Sequence, residues 1–213
     1  MTKVFAVSGS IIRNKLDEIG EFAESINQNS EQIVVVTGAG GLSKYQKAVE
    51  GNKGEKDLIG IKATRLHAQT LITEIDNTYP EVPEKPEEVQ KAASTGKNVV
   101  TGGLVPGYST DAVAATVAEL LDAELYIATR VDGIYSADPE KDDSAKKFDS
   151  ITTDKLLELA GGRNEPGTYS VVDEAAIRLI ERSNISTKVF YATNENIVDP
   201  EQAEGTEIEP SNK

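Results

Sequence analysis

Cysteine is absent from the 213 residues of the chain. That absence excludes disulfides, cysteine-ligated metal sites and a thiol nucleophile. Histidine occurs once, as His67, which leaves no second imidazole for a multi-histidine zinc site and argues against Ser-His-Asp catalysis. Basic residues are the scarcer charge: 22 Lys and Arg face 36 Asp and Glu, for a formal net charge of −14. Such a chain repels nucleic acid and anionic membrane as a whole, so an anionic ligand has to be held locally. No apolar run approaches the roughly 20 residues that span a bilayer, and no basic segment followed by a long apolar run opens the sequence. The expectation is a cytoplasmic protein with neither a nucleic-acid nor a membrane partner, long enough for one sizeable hydrophobic core.

Short apolar runs alternate with helical patterns. "KVFAV" (3–7), "IVVV" (33–36), "NVVT" (98–101), "LYIA" (125–128) and "TKVFY" (187–191) read as strands, most of them with the apolar character of strands buried on both faces. Between them, Leu16, Ile19, Phe22, Ala23 and Ile26 share one helical face, and "DAVAATVAELL" (111–121) and "DEAAIRLIERS" (173–183) repeat that spacing behind an acidic first residue. This alternation predicts an α/β fold with a mainly parallel sheet covered by helices on both sides. "YPEVPEKPEE" (79–88) is the most loop-like segment, and "GTEIEP" (205–210) is suited to a short edge strand. There is no internal repeat and no low-complexity tract.

Glycines stand where the first strands end: "SGS" (8–10), "TGAGG" (37–41) and "TGGLVPGYST" (101–110). Glycine there lets backbone amides approach an anion, and a following helix N-terminus adds partial positive charge. The C-terminal edge of a parallel sheet is also where ligands bind. Two common nucleotide motifs are missing. No G-x-x-x-x-G-K-[ST] occurs, and "GAGGLS" has Ser43 at its third small position and follows the second strand rather than the first. Thr110 is placed to cap a helix beginning at Asp111, which brings that carboxylate to the same edge as Gly102 and Gly103. After the fourth strand come Thr129 and Arg130, a permanent cation suited to phosphate oxygens. Tyr135 is suited to lie against a base, and Asp138 to accept from a ribose.

"VDGIYSADPEKDDSAKKFD", preceded by "GYSTDAVAA" and "DLIGIKATRLHA" and followed by "SVVDEAAIRLIERS" and "GTEIEP", resembles the amino acid kinase superfamily and, within it, the archaeal type of uridylate (UMP) kinase. The resemblance runs from the first strand to Pro210. It implies a three-layer αβα sandwich with a mainly parallel central sheet, in one domain over residues 1–213. The N-terminal part would form the acceptor lobe and residues 120–213 the ATP lobe. It implies phosphoryl transfer from ATP to UMP with magnesium, usually in a hexamer. By the same resemblance, Ser8, Gly9 and Ser10 cradle the ATP phosphates with help from Gly38, and Thr129, Arg130, Tyr135 and Asp138 hold the nucleotide. Thr37 lies on the acceptor side, Asp57 takes the acceptor's ribose, and Leu104, Val105, Pro106, Gly107, Tyr108, Ser109 and Thr110 wrap the UMP. Asp111 organises the cations around the transferred group, with Arg130 as the second catalytic residue; no metal-ligating set is expected.

A nucleoside monophosphate presents an acceptor oxygen that is already ionised or nearly so. Positioning and charge neutralisation therefore suffice for catalysis, without a strong general base. Arg130, Lys44, Arg65, magnesium and backbone amides are the sources of positive charge. Arg65, eight residues after Asp57, is a candidate for the acceptor phosphate, whereas His67 is expected to face solvent or a subunit contact. The chain departs from the family pattern at Ser8, at Thr37-Gly38-Ala39 and in the acceptor loop. There Leu104, Val105 and Tyr108 stand where the family usually has a threonine and two histidines. Losing buried donors of that kind costs about 1–3 kcal/mol each. Two alternatives follow: a nucleotide-binding or regulatory protein on the same fold, and a kinase for another small phosphate acceptor.

Overall fold

A computed structural model describes residues 2–9, 11, 19–161 and 171–211. Ser10, and Leu16 of the first helical pattern, lie outside the described residues. Seven strands form one sheet: β1 (Thr2–Val7), β2 (Gln32–Thr37), β3 (Val99–Thr101), β4 (Glu124–Thr129), β5 (Ser150–Thr152), β6 (Thr187–Tyr191) and β7 (Gly205–Glu209). Their spatial order is β3-β2-β1-β4-β6-β7-β5. Every pair is parallel except β6 with β7.

Alternate residues of each central strand feed two separate cores. Val4 and Ala6 of β1, with Val34 and Val36 of β2, enter one; Phe5 and Val7, with Ile33 and Val35, enter the other. The continuous apolar runs are therefore two alternating faces, both buried. The first core is closed by α4 (Pro86–Ala93), α5 (Thr110–Leu121), α6 (Thr153–Gly161) and α7 (Glu174–Arg182). The second is closed by α1 (Ile19–Asn27), α3 (Lys53–Ile72) and α8 (Asn194–Val198). A short α2 (Lys44–Lys47) follows a 3₁₀ segment, Gly40–Ser43. Each large side chain buried this way, such as Phe5 or Phe190, contributes about 1.5–3 kcal/mol. The result is the three-layer αβα arrangement expected from the alternation.

Helix starts are encoded locally. Asn52 accepts from the Glu55 amide while Glu55 accepts from the Asn52 amide, a reciprocal cap that opens α3. Ser109, not the expected Thr110, caps α5, which starts one residue early at Thr110, and Asp173 and Thr193 cap α7 and α8. The proline-rich stretch is a loop only as far as Lys85, because Pro86 opens α4 at a position where its missing N–H is not needed. The strand expected within 205–210 forms as β7, but it lies between β6 and β5 rather than at an edge. The edge strand on that side, β5, buries only Ile151 and is too short to show a period.

The sheet changes direction between β1 and β4: β2 and β3 lie on one side of that junction, β6 on the other. Val7 aligns with Thr37 and with Ala128, and Val36 with Thr101, so the glycine turns all emerge at one edge beside this switch point. A ligand site belongs in the crevice there.

Candidate active site

Two adjoining cavities occupy that crevice. One, of about 270 Å³, is bounded by Ser8 and Gly9 after β1, Gly38–Gly40 after β2, Ile127–Thr129 of β4, Ser109–Asp111 and Val171. The other, of about 150 Å³, is bounded by Gln46, Asp57, Gly60, Ile61, Thr64, Gly103, Val105, Gly107 and Tyr108. Ala39, Ser109 and Thr110 line both.

The turns forming this edge are packed too tightly for side chains. A methyl group added at Gly9 would lie 2.2 Å from the Gly38 carbonyl oxygen, and one at Gly102 would lie 2.4 Å from Thr64 Oγ1. The turns after β2 and β3 are fastened to α3. Thr37 Oγ1 donates to the Thr64 carbonyl at 2.8 Å, and the Gly103 amide donates to Thr64 Oγ1 at 2.6 Å. Thr64 Oγ1 in turn donates to the Ile61 carbonyl at 2.7 Å. His67 joins the same network: its Nδ1 lies 2.8 Å from the Gly38 carbonyl oxygen. Its side chain is only 6 % exposed, which corrects the expectation of a solvent-facing or contact residue. Helical spacing puts position 67 on the face of Thr64 and Leu71, and that face packs on the sheet.

The loop from 102 to 110 closes the smaller cavity. Asp57 Oδ2 accepts from the Gly107 amide at 2.9 Å, and Gly107 has φ +86°, a left-handed conformation that suits glycine. Val105 and Tyr108 are exposed and face this cavity, whereas Leu104, 9 % exposed, packs into the core. Pro106 is exposed on the same loop. Thr37 is buried behind the turn rather than lining either cavity. Arg65 pairs with Glu84 at 2.7 Å and donates to the Gly103 and Glu84 carbonyls, so it braces the loop from outside the cavities.

Where the cavities meet, two helix N-termini converge. Ser109 Oγ accepts from the Ala112 amide and donates to Asp173 Oδ2, while Asp173 Oδ1 accepts from the Ala175 and Ala176 amides. Asp111 keeps some solvent contact, yet its carboxyl is enclosed by packed protein. Burial, and secondarily the charge of Asp173, push it up to about 7. The direction follows from removing a carboxylate from water beside a like charge.

On the other side, Thr129 lines the larger cavity and Arg130 is exposed, with no ion pair among the described residues. Tyr135 donates to Asp132, whose carboxylate also pairs with Lys147 at 3.3 Å. Asp138 accepts from the Glu140 amide and pairs with Lys141. The Lys141 ammonium holds the Asp138 carboxyl below the usual carboxylate range. Sequence reasoning assigns no place in the site to Thr64, Asp173, Ala39 or Gln46. The first two lie in the segments "DLIGIKATRLHA" and "SVVDEAAIRLIERS", where hydroxyl and carboxylate groups at helix starts and mid-helix carry no signal of what they will touch.

The amino acid kinase family profile matches residues 1–191. A uridylate kinase of Methanococcoides burtonii is 42% identical over 205 residues, covering 91% of this chain and 88% of that protein. One from Archaeoglobus fulgidus is 40% identical over 206 residues, covering 93% and 94%. The crystal structure of uridylate kinase from Archaeoglobus fulgidus superposes with a TM-score of 0.88 at 38% identity, over 98% of this chain and all of that one (100%). A UMP kinase from Bacillus anthracis, 18% identical over 99% of this chain and 96% of its own, shares the fold with a TM-score of 0.79. With its αβα sheet, its glycine edge at the switch point and these similarities, the chain belongs to the amino acid kinase family.

Proposed function

We propose that the protein transfers the γ-phosphoryl group of ATP to UMP, giving ADP and UDP. The observation that carries this reading is the pair of cavities at the switch point, joined at Ala39, Ser109 and Thr110. Two phosphate-bearing ligands entering from opposite sides would meet there, next to Asp111. The Archaeoglobus fulgidus and Methanococcoides burtonii relatives are uridylate kinases, which supports UMP as the acceptor.

In this scheme the part of the chain before about residue 120 forms the acceptor lobe and the remainder the ATP lobe, with the turns after β1 and β2 reaching the ATP phosphates from the acceptor lobe. The smaller cavity takes the UMP, with Asp57 at its ribose and Val105, Gly107, Tyr108, Ser109 and Thr110 around it; Leu104, Pro106 and Arg65 shape the loop from behind. Ser8, Gly9, Gly38 and Thr129 border the ATP phosphates, Arg130 supplies positive charge, and Tyr135 and Asp138 flank the nucleoside. The protein holds both phosphates in line and excludes water from them. That supplies the positioning and electrostatic stabilisation on which phosphoryl transfer depends.

Magnesium, if it came with ATP, would supply neutralisation of phosphate charge. The partly enclosed Asp111 carboxylate is the group beside which such a cation fits, since a neighbouring positive charge would favour its ionised form. A cytoplasmic, hexameric enzyme completes the proposal. Among the described residues no helix is long and apolar enough to cross a membrane.

The alternative of a regulatory protein rests on three altered loop residues, and one of them, Leu104, belongs to the core. Mixing the purified protein with ATP, magnesium and each of UMP, CMP and AMP tests the proposal. ADP release with UMP well above that with AMP is the expected result; ATP binding with no accepting nucleotide would overturn it.

A further inference from the structure

His67 has no part in the reaction scheme above, yet it is buried against the turn where the two cavities join. A carbonyl oxygen only accepts, so the 2.8 Å contact to Gly38 requires the proton to be on Nδ1. Gly38 has no side chain to fix the plane of its peptide bond to Ala39, and Thr37, one residue earlier, is already tied to α3 through the Thr64 carbonyl. His67 is the second tie, one helical turn further along the same helix.

No cis peptide bond occurs among the described residues. Across a planar trans peptide the carbonyl of one residue and the amide N–H of the next point in opposite directions. With the Gly38 carbonyl turned toward His67, the Ala39 N–H is turned away from α3. Ala39 borders both cavities, and among the described residues its amide has no protein acceptor. From this we infer that His67 is a positioning residue: it fixes the Gly38–Ala39 peptide so that the Ala39 amide donates to a phosphate oxygen at the junction of the cavities. The inference deepens the proposed phosphoryl transfer and rests on it for the identity of the phosphate.

Asparagine and phenylalanine separate this role from simple packing. The amide nitrogen of asparagine, like Nδ1 of histidine, is one bond from Cγ, so His67→Asn keeps a donor at the same reach. His67→Phe keeps a ring and removes the donor. If His67 positions a donor used in the transfer, H67F lowers kcat by about 10- to 100-fold. KM for ATP and UMP stays within about threefold, and H67N restores kcat to near the parent value. A wild-type kcat in folded H67F, or H67N as slow as H67F with both folded, would overturn the inference.

Should H67F not fold, the ¹⁵N-labelled parent protein supplies the test. The Ala39 amide resonance is expected to move downfield when a non-hydrolysable ATP analogue with magnesium, and then UMP, is added; an unmoved resonance at saturation counts against the inference. That readout also separates the two claims. A shift of Ala39 without ADP formation would sink the proposed reaction while leaving the positioning role standing, and ADP formation without a shift would do the reverse.

Discussion

The acceptor side and the donor side of the crevice are held in different ways. Behind the turns after β2 and β3, the contacts join buried groups: Thr37, 1 % exposed, to α3, Thr101, 0 % exposed, to the Pro83 carbonyl, and His67 to Gly38. The donor segment from 130 to 149 is instead folded largely on itself at the surface. Asp138 and Asp142 cap their own turns, and Lys147 bridges Asp132 and Glu204. Its inward anchor is Ile134, 2 % exposed, whose amide donates to Thr206.

The difference matters because polar contacts are not equal. Leaving a buried donor or acceptor without its partner costs about 1–3 kcal/mol, whereas an exposed ion pair contributes about 0–1 kcal/mol. On the proposed reading, the edge that would present amides to phosphates holds the bonds whose loss is most destabilising, and the segment that would admit a nucleotide holds the weaker ones. Amides with few buried contacts open more readily, so hydrogen exchange should be faster over 136–147 than at Gly38 and Gly103.

The largest effect is expected where the two sides meet. Asp111→Asn should lower kcat by about 10²–10³-fold, the scale of removing a group aligned with transition-state charge. The same variant has a stability consequence of opposite sign. With Asp111 pushed up to about 7 in the fold against an ordinary 3.8, the folded chain retains a proton that the unfolded chain releases. Stability from this group is thus present at low pH and declines as pH rises from about 4 to about 7. D111N removes the decline, so thermal melts without nucleotide should show the variant gaining on the parent between pH 5 and pH 8.

A smaller effect is expected on the acceptor side. Thr64→Val keeps the shape but removes the hydroxyl that accepts from the Gly103 amide, and should cost about 1–3 kcal/mol in urea unfolding together with a raised KM for UMP. Ser109→Ala loses the cap of α5 and the contact to Asp173, for about 1 kcal/mol. The smallest change belongs to the donor side. Lys147→Ala, whose partners Asp132 and Glu204 are 50% and 85% exposed, should cost at most about 1 kcal/mol. If Lys147→Ala proved more damaging than Thr64→Val, the contrast between the two sides would be wrong.

Sequence reasoning located what has a local signal. The apolar runs of β1, β2, β4 and β6 read as strands because both of their faces are buried, and the glycines marked the ligand edge because close backbone approach leaves a residue signature. What escaped depends on contacts distant in sequence. Nothing near His67 in the chain announces that Gly38, 29 residues away, will be its partner, or that Thr64 will serve two turns at once. Leu104 belongs to a segment whose neighbours face the cavity, and only tertiary packing decides that its side chain turns inward. Arg65 had the right charge for a phosphate, but Glu84, 19 residues on, takes its guanidinium. Strand β5 buries one side chain and offers no period to read.

The most direct test is to follow the label from γ-³²P-ATP in the presence of magnesium and UMP, with Asp111→Asn alongside. Label appearing in UDP with the parent protein, and nearly lost in the variant, is the predicted result. Label remaining in ATP while the parent protein binds both nucleotides would contradict the account.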